Sequence, residues 1–194
     1  MLGLCRLLPL AFVSGLAVSS VAAKPEPGPV YSVRRSEVAV PPDVPLGQYR
    51  RIIRPFKNWT LICDENLRAR RRVCNITQTI VDQTGATAFS WSLAGSDGGT
   101  PVFILRAPAA VGPGQPITLA FGDGSPPILV KTNGCDASVC VAIQQVGPRL
   151  RSYIAKGAVV QISFPVMDTP ASAAPALMGL YAPLDGLAKA IEAI

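Results

Sequence analysis

From residue 56 onward, short apolar runs alternate with polar positions, and turn residues separate one run from the next. Trp59, Leu61 and Cys63 alternate with Asn58, Thr60 and Ile62; Cys74, Ile76 and Ile80 share one face of a second run; Phe89, Trp91 and Leu93 share one face of a third. A period of two sends one set of side chains into a core and the other toward solvent, so each run predicts a half-buried strand. The pattern predicts further strands over 102–106, 117–121 and 128–131, with Gly112-Pro113-Gly114 and Asp123-Gly124 between them. An Asp-Gly pair tolerates the positive φ of a tight hairpin. Asn133-Gly134 predicts another turn, and 139–144 and 158–164 complete the strands.

Helical signals are fewer. Pro148 opens and Gly157 stops a short helix over 148–156, as the preferences for proline at the first helical position and glycine just past the last require. Leu184, Leu187, Ala188 and Ile191 recur at helical spacing, although Gly186 inside that helix costs it about 1 kcal/mol. The predicted fold is mostly β: a single-domain antiparallel β-sandwich with short peripheral helices, spanning 56–194 and without internal repeats.

Ahead of this domain the pattern changes. Residues 24–55 carry Pro25, Pro27, Pro29, Pro41, Pro42, Pro45 and Pro55 with interspersed charges and no apolar period, which predicts an extended, flexible Pro-rich tether. Earlier still, Arg6 precedes an apolar run at 7–18, and Val21-Ala22-Ala23 supplies small residues. These features read as a signal peptide over 1–23, cleaved after Ala23, and predict a periplasmic or secreted protein. No stretch approaches the roughly 18–20 apolar residues of a membrane span. Cys5 precedes the apolar run and leaves with the signal.

Four cysteines remain, Cys63, Cys74, Cys135 and Cys140, and an even number behind an export signal indicates a disulfide framework. Of three connectivities, the local one is expected: Cys63 and Cys74 flank a segment able to form a hairpin, and Cys135 and Cys140 close a shorter loop. A four-thiolate zinc site and thiol exchange are the alternatives. The spacing lacks the close knuckles of zinc ribbons, and no Cys-x-x-Cys is present. No metal or cofactor is therefore expected.

A resemblance rests on ordered landmarks: Asn58-Trp59-Thr60-Leu61-Ile62-Cys63, Cys74-Asn75-Ile76-Thr77-Gln78, Gly134-Cys135-Asp136-Ala137, and Leu177-Met178-Gly179-Leu180 before a terminal helix. Over residues 56–194 the chain resembles the invasion-associated locus B family. The resemblance implies a small exported β-rich protein of Gram-negative bacteria, associated with host-cell invasion in pathogens and without established catalytic residues. Met178 stands where the pattern has a basic residue, and Cys140 follows Cys135 unusually closely.

The chain contains no histidine, which excludes Ser-His-Asp and Cys-His catalysis and the usual His-containing metal sites. Lys131 lies near Ser125 in sequence, Asp64-Glu65 is read as an exposed turn, and no Gly-rich loop opens a helix to hold phosphate. With 18 basic and 12 acidic residues, the net charge is +6, a mild excess that favours anionic partners. Its densest expression is Arg68, Arg70, Arg71 and Arg72, within the loop that Cys63 and Cys74 would close. Four guanidinium groups on a stapled turn can grip phosphate or carboxylate, and Arg50, Arg51, Arg54 and Lys57 extend the patch if the tether folds toward it. The competing reading is a solvated hairpin tip.

Nucleic acid is not expected, because Trp59, Phe89 and Trp91 fall on core faces instead of interleaving with arginines. The favoured function is a non-enzymatic envelope protein that binds an anionic lipid, glycan or protein. The alternative is a small secreted hydrolase or enzyme inhibitor.

Overall fold

Antiparallel pairing organises the computed structural model, which describes residues 30–34, 47–95, 99–167 and 175–194. Its strands are β1 Ser32–Arg34, β2 Tyr49–Phe56, β3 Trp59–Asn66, β4 Arg71–Val81, β5 Thr87–Gly95, β6 Pro101–Pro108, β7 Pro116–Ala120, β8 Ile128–Cys135, β9 Val139–Gln145, β10 Val159–Val166 and β11 Ala176–Pro183. Two short helices, α1 Pro148–Lys156 and α2 Leu187–Ile191, lie at the periphery. The strand order is β11-β10-β7-β8-β9-β6-β5-β4-β3-β2, with β1 paired to β4. β8 belongs to both halves: its first residues pair with β7, its last with β9, and the register shifts between Thr132 and Gly134. The sheet thereby curls over itself and encloses the core.

Aromatic side chains fill the interior. Trp59, Phe89, Trp91, Phe103 and Phe164 are buried, with ring centroids 5.3 Å apart for Trp59 and Trp91 and 4.9 Å for Trp91 and Phe103. Phe89 stacks on Phe164 at 6.1 Å and joins the two halves of the curled sheet. The expected alternation of β3, β4 and β5 is present, as is the helix from Pro148 to Lys156 with Gly157 in a left-handed conformation at its end.

Several expectations are corrected. The stretch read as a tether contains two strands: β1 pairs with residues 79–81 of β4, and β2 pairs with all of β3. β2 hides from a pattern reading because Arg50, Arg51, Arg54 and Pro55 dilute its apolar residues; at a sheet edge a proline costs no ladder bond on the open side. Asn133-Gly134 is not a turn but the irregular segment of β8. The Asp123-Gly124 pair sits in a longer loop between β7 and β8, where Gly122 and Gly124 both have positive φ. Gly186 is not interior to a helix; it precedes the short α2 at φ 96°. The signal peptide, its cleavage after Ala23, and tether residues 24–29 and 35–46 lie outside the described residues.

Candidate functional site

The arginine run forms the tip of the β3–β4 hairpin. Residues 67–70 make the turn, Asn66 Oδ1 accepts the Ala69 N–H at 2.9 Å, and the Leu67 N–H reaches the Gln48 carbonyl at 3.0 Å. Arg70 has φ 51°, a left-handed conformation uncommon outside glycine. Arg68, Arg70, Arg71 and Arg72 are all exposed. They do not share one face. Arg72 lies opposite Glu65, in line with Cys74, whereas Arg71 lies opposite Asn66, so strand alternation sends the two guanidinium groups to opposite sides. The tip is a cationic knob rather than a flat patch.

β2 brings three more arginines alongside, and most of its charge is answered. Arg50 pairs with Glu65, and Arg51 Nη2 donates to Asp64 Oδ2 at 2.9 Å. The Tyr49 hydroxyl also donates to Asp64. The Arg51 guanidinium holds the Asp64 carboxyl below its ordinary range, against the opposing effect of burial and with help from Tyr49. Arg54 stacks over the Phe56 ring at 5.3 Å, and Lys57 pairs with Asp185 at 2.6 Å. Asp64 and Glu65, expected in an exposed turn, are instead the half-buried end of β3 and are occupied by β2. Among the described residues, no carboxylate lies within ion-pair distance of Arg68, Arg70, Arg71 or Arg72.

Both disulfides have the local pairing. Cys63 bonds Cys74 and Cys135 bonds Cys140, each across directly opposed strand positions with Cα atoms 4.0 Å apart. The first anchors the arginine tip to the core, where Cys63 is fully buried. Loop-closure entropy assigns about 3 kcal/mol to the Cys63–Cys74 bond and about 2 to Cys135–Cys140. Reduction is expected to lower the unfolding free energy from urea titration by that order while the strand signal in circular dichroism persists, because the aromatic core remains. Loss of the fold on reduction would contradict this.

Elsewhere among the described residues, polar groups tie one element to another. Ser125 bonds Asp123, Tyr153 and Arg149, while Lys131 sits on β8 opposite Pro116. Hydrogen bonds from Ser125, then Tyr153, hold the Asp123 carboxyl far below its ordinary range, so it is a poor acceptor for a serine proton. Arg149 stacks on Phe121 and Tyr153, and the whole group ties α1 to the β7–β8 loop. A cleft of about 420 Å³ between α1, α2 and the sheet is lined mainly by Leu93, Val146, Ile154 and Ile191, with Arg151 and Glu192 at its polar positions. The sequence reading missed the roles of Gln78, Arg106 and this Asp123 network, since each acquires its distant partners only through strand register or helix docking.

Taken together, the geometry defines a small disulfide-stapled antiparallel β protein with a basic hairpin tip. Residues 59–194 match the family described as Invasion associated locus B (IalB) protein, and the chain belongs to that family. Among solved structures, invasion associated protein B from Bartonella henselae is similar: it is 15% identical, with a TM-score of 0.60 over 73% of this chain and 93% of that one. At this identity the likeness speaks for the fold. No curated protein matches. The family landmarks fall on structural positions: Gly134-Cys135 ends β8, Asp136 Oδ1 accepts the Ser138 and Val139 N–H groups at 2.7 and 2.8 Å, and 177–180 lie in β11. Met178 is opposite Phe164 on the inner side, so the departure there is a packing position. Among the described residues, no helix is long and apolar enough to cross a membrane.

Proposed function

We propose that this chain is an exported, non-enzymatic envelope protein that holds an anionic lipid, glycan or protein surface through Arg68, Arg70, Arg71 and Arg72. The carrying observation is the charge at the tip: four exposed guanidinium groups with no carboxylate within ion-pair distance among the described residues, on a hairpin stapled to the core by Cys63–Cys74. Support for export comes from the signal-like residues 1–23 ending at Ala23, the oxidised cysteines and the family. A chain without histidine, and a serine whose neighbouring carboxylate is a weak base, support a binding role over hydrolysis. The remaining Pro-rich residues of 24–46 serve in this reading as a spacer before β2.

Charge supplies much of such affinity, so binding falls with salt as the Debye length contracts to about 8 Å at physiological ionic strength. The test uses vesicles containing anionic phospholipid, with heparin as the glycan arm. The mature chain is expected to bind at low salt and release as salt rises. Replacing all four arginines by Gln should abolish that binding and leave the melting temperature nearly unchanged, because exposed charges contribute little to folding. Equal binding by the quadruple variant would overturn the assignment.

A further inference from the structure

β5 and β6 part company before either strand ends. They pair from Gly95↔Pro101 to Ser90↔Arg106. Beyond that point β5 continues only beside β4, through Phe89↔Ile80 and Thr87↔Val81, while β6 continues beside β9 as far as Pro108↔Val139. A cleft of about 280 Å³ opens at this fork, lined by Thr87, Ser90, Arg106, Pro108, Ser138 and Val139. Three hydroxyl-bearing residues and one cationic residue therefore line it, beside the apolar Ala88, Phe89 and Ala107.

Arg106 stands at the apex. It is half-buried, and its Nη1 donates to the buried Ser92 hydroxyl at 2.9 Å, a neutral acceptor. Among the described residues, no carboxylate is within ion-pair distance of it. A guanidinium has five N–H donors, and withdrawing its charge from water without a counter-charge is unfavourable. Burial accordingly pushes its pKa down, with no acid offsetting the effect; an arginine nevertheless keeps its charge at neutral pH. A second cation reaches the rim: Arg34 Nη2 donates to the Thr87 hydroxyl at 3.1 Å. In register, Arg34, Thr79, Ser90 and Arg106 form one row across four strands.

We propose that the β5–β6 fork is an anion-binding site that takes the oxyanion of a small acid, a carboxylate or a phosphate, bidentate on Arg106 with the Ser90, Thr87 and Ser138 hydroxyls donating to it. A planar fork of N–H groups matches both oxyanions, and the cleft admits a group of modest size. The site is separate from the arginine tip. Position 79, in the row of Arg106, is eight residues along β4 from Arg71, about 26 Å at the usual rise per residue. One small ligand cannot touch both, and this proposal does not depend on the tip's function.

Titration of the full mature chain with inorganic phosphate and with glucuronate, followed by amide NMR, tests it, with glucose as the uncharged control. Saturable shifts are expected at 87–90, 106–108 and 138–139, weakening with salt and absent with glucose. Saturation by phosphate alone or by glucuronate alone identifies which oxyanion the site prefers, and either supports the assignment. R106Q should weaken binding at least tenfold and R106K less so, while the quadruple tip variant binds like the parent. If R106Q fails to fold, the T87A/S90A double variant carries the test and should weaken binding several-fold. Shifts confined to 68–72, no saturation with either anion, or unchanged affinity in the folded Arg106 or hydroxyl variants would overturn the site.

Discussion

Replacing Gln78 by leucine is expected to cost about 3 kcal/mol, far more than its similar size implies. Gln78 is 1% exposed and joins four parts of the chain. Its Nε2 donates to the Pro183 carbonyl at 2.9 Å and the Asn58 carbonyl at 3.2 Å, and its Oε1 accepts from Trp91 Nε1 at 2.8 Å. Leucine would fill the space but leave the Trp91 N–H and the Asn58 carbonyl without those partners; the Pro183 carbonyl would keep Trp59 Nε1 at 3.1 Å. Each stranded buried group costs about 1–3 kcal/mol, whereas removing both ends of a bond is nearly neutral. A Gln78→Leu, Trp91→Phe double variant should therefore lose less than the two single changes together. Urea unfolding of the four proteins measures this, and a loss below about 1 kcal/mol for Gln78→Leu would refute the role given to this knot.

Gly186→Ala should be comparably severe. A Cβ at this position would lie 2.1 Å from the Phe56 carbonyl oxygen and 2.9 Å from its carbon, with φ already at +96°. Backbone on the far side cannot rotate away as a flexible side chain does, so either the β2–β3 turn or the start of α2 must move. Overpacking and the left-handed penalty together predict a loss of about 3–4 kcal/mol. Lys57, next to the point of contact, is itself at φ 52°, which leaves that turn little room to adjust. Thermal unfolding reads the total, and hydrogen exchange at 187–191 shows whether α2 detaches first. A melting temperature within about 2 °C of the parent would show that the clash relaxes freely.

The same glycine shows what the chain discloses before it folds. As a letter within an apolar helical spacing it looked like a weakness of about 1 kcal/mol; in place, it is where the C-terminal segment touches the β2–β3 turn. β3, β4 and β5 were legible because one face of each is apolar and the other is not. β11 escaped notice for the opposite reason: Leu177 and Tyr181 point outward at 75% and 66% exposure, while Met178 and Leu180 point inward, so no alternation marks the strand. The arginine tip could be read directly, since the residues are contiguous. That Arg50 and Arg51 claim Glu65 and Asp64 could not, because the pairing depends on the register of a strand whose composition resembles a linker. Arg106 looked like the charged end of an apolar run, and only the fork beside it gives it a cavity.

The order of strands also governs how the molecule can open and close. β2 through β6 form a meander in which every strand lies beside its neighbour in the chain, so those contacts are local and form early. The seam at Pro183 is different: its carbonyl meets Gln78 across 105 residues and Trp59 across 124. Closing such separations carries a larger entropy of loop closure. The two disulfides span separations of only 11 and 5 residues, both inside hairpins, so they can form while the C-terminal strands are still unpaired. One guards the meander and the other the β8–β9 hairpin, and neither reaches the seam. Even in an oxidising compartment, release of β10, β11 and α2 is therefore controlled by packing and by a few buried hydrogen bonds, and the indole of Trp59, bonded to that seam, is placed to sense the moment of closure.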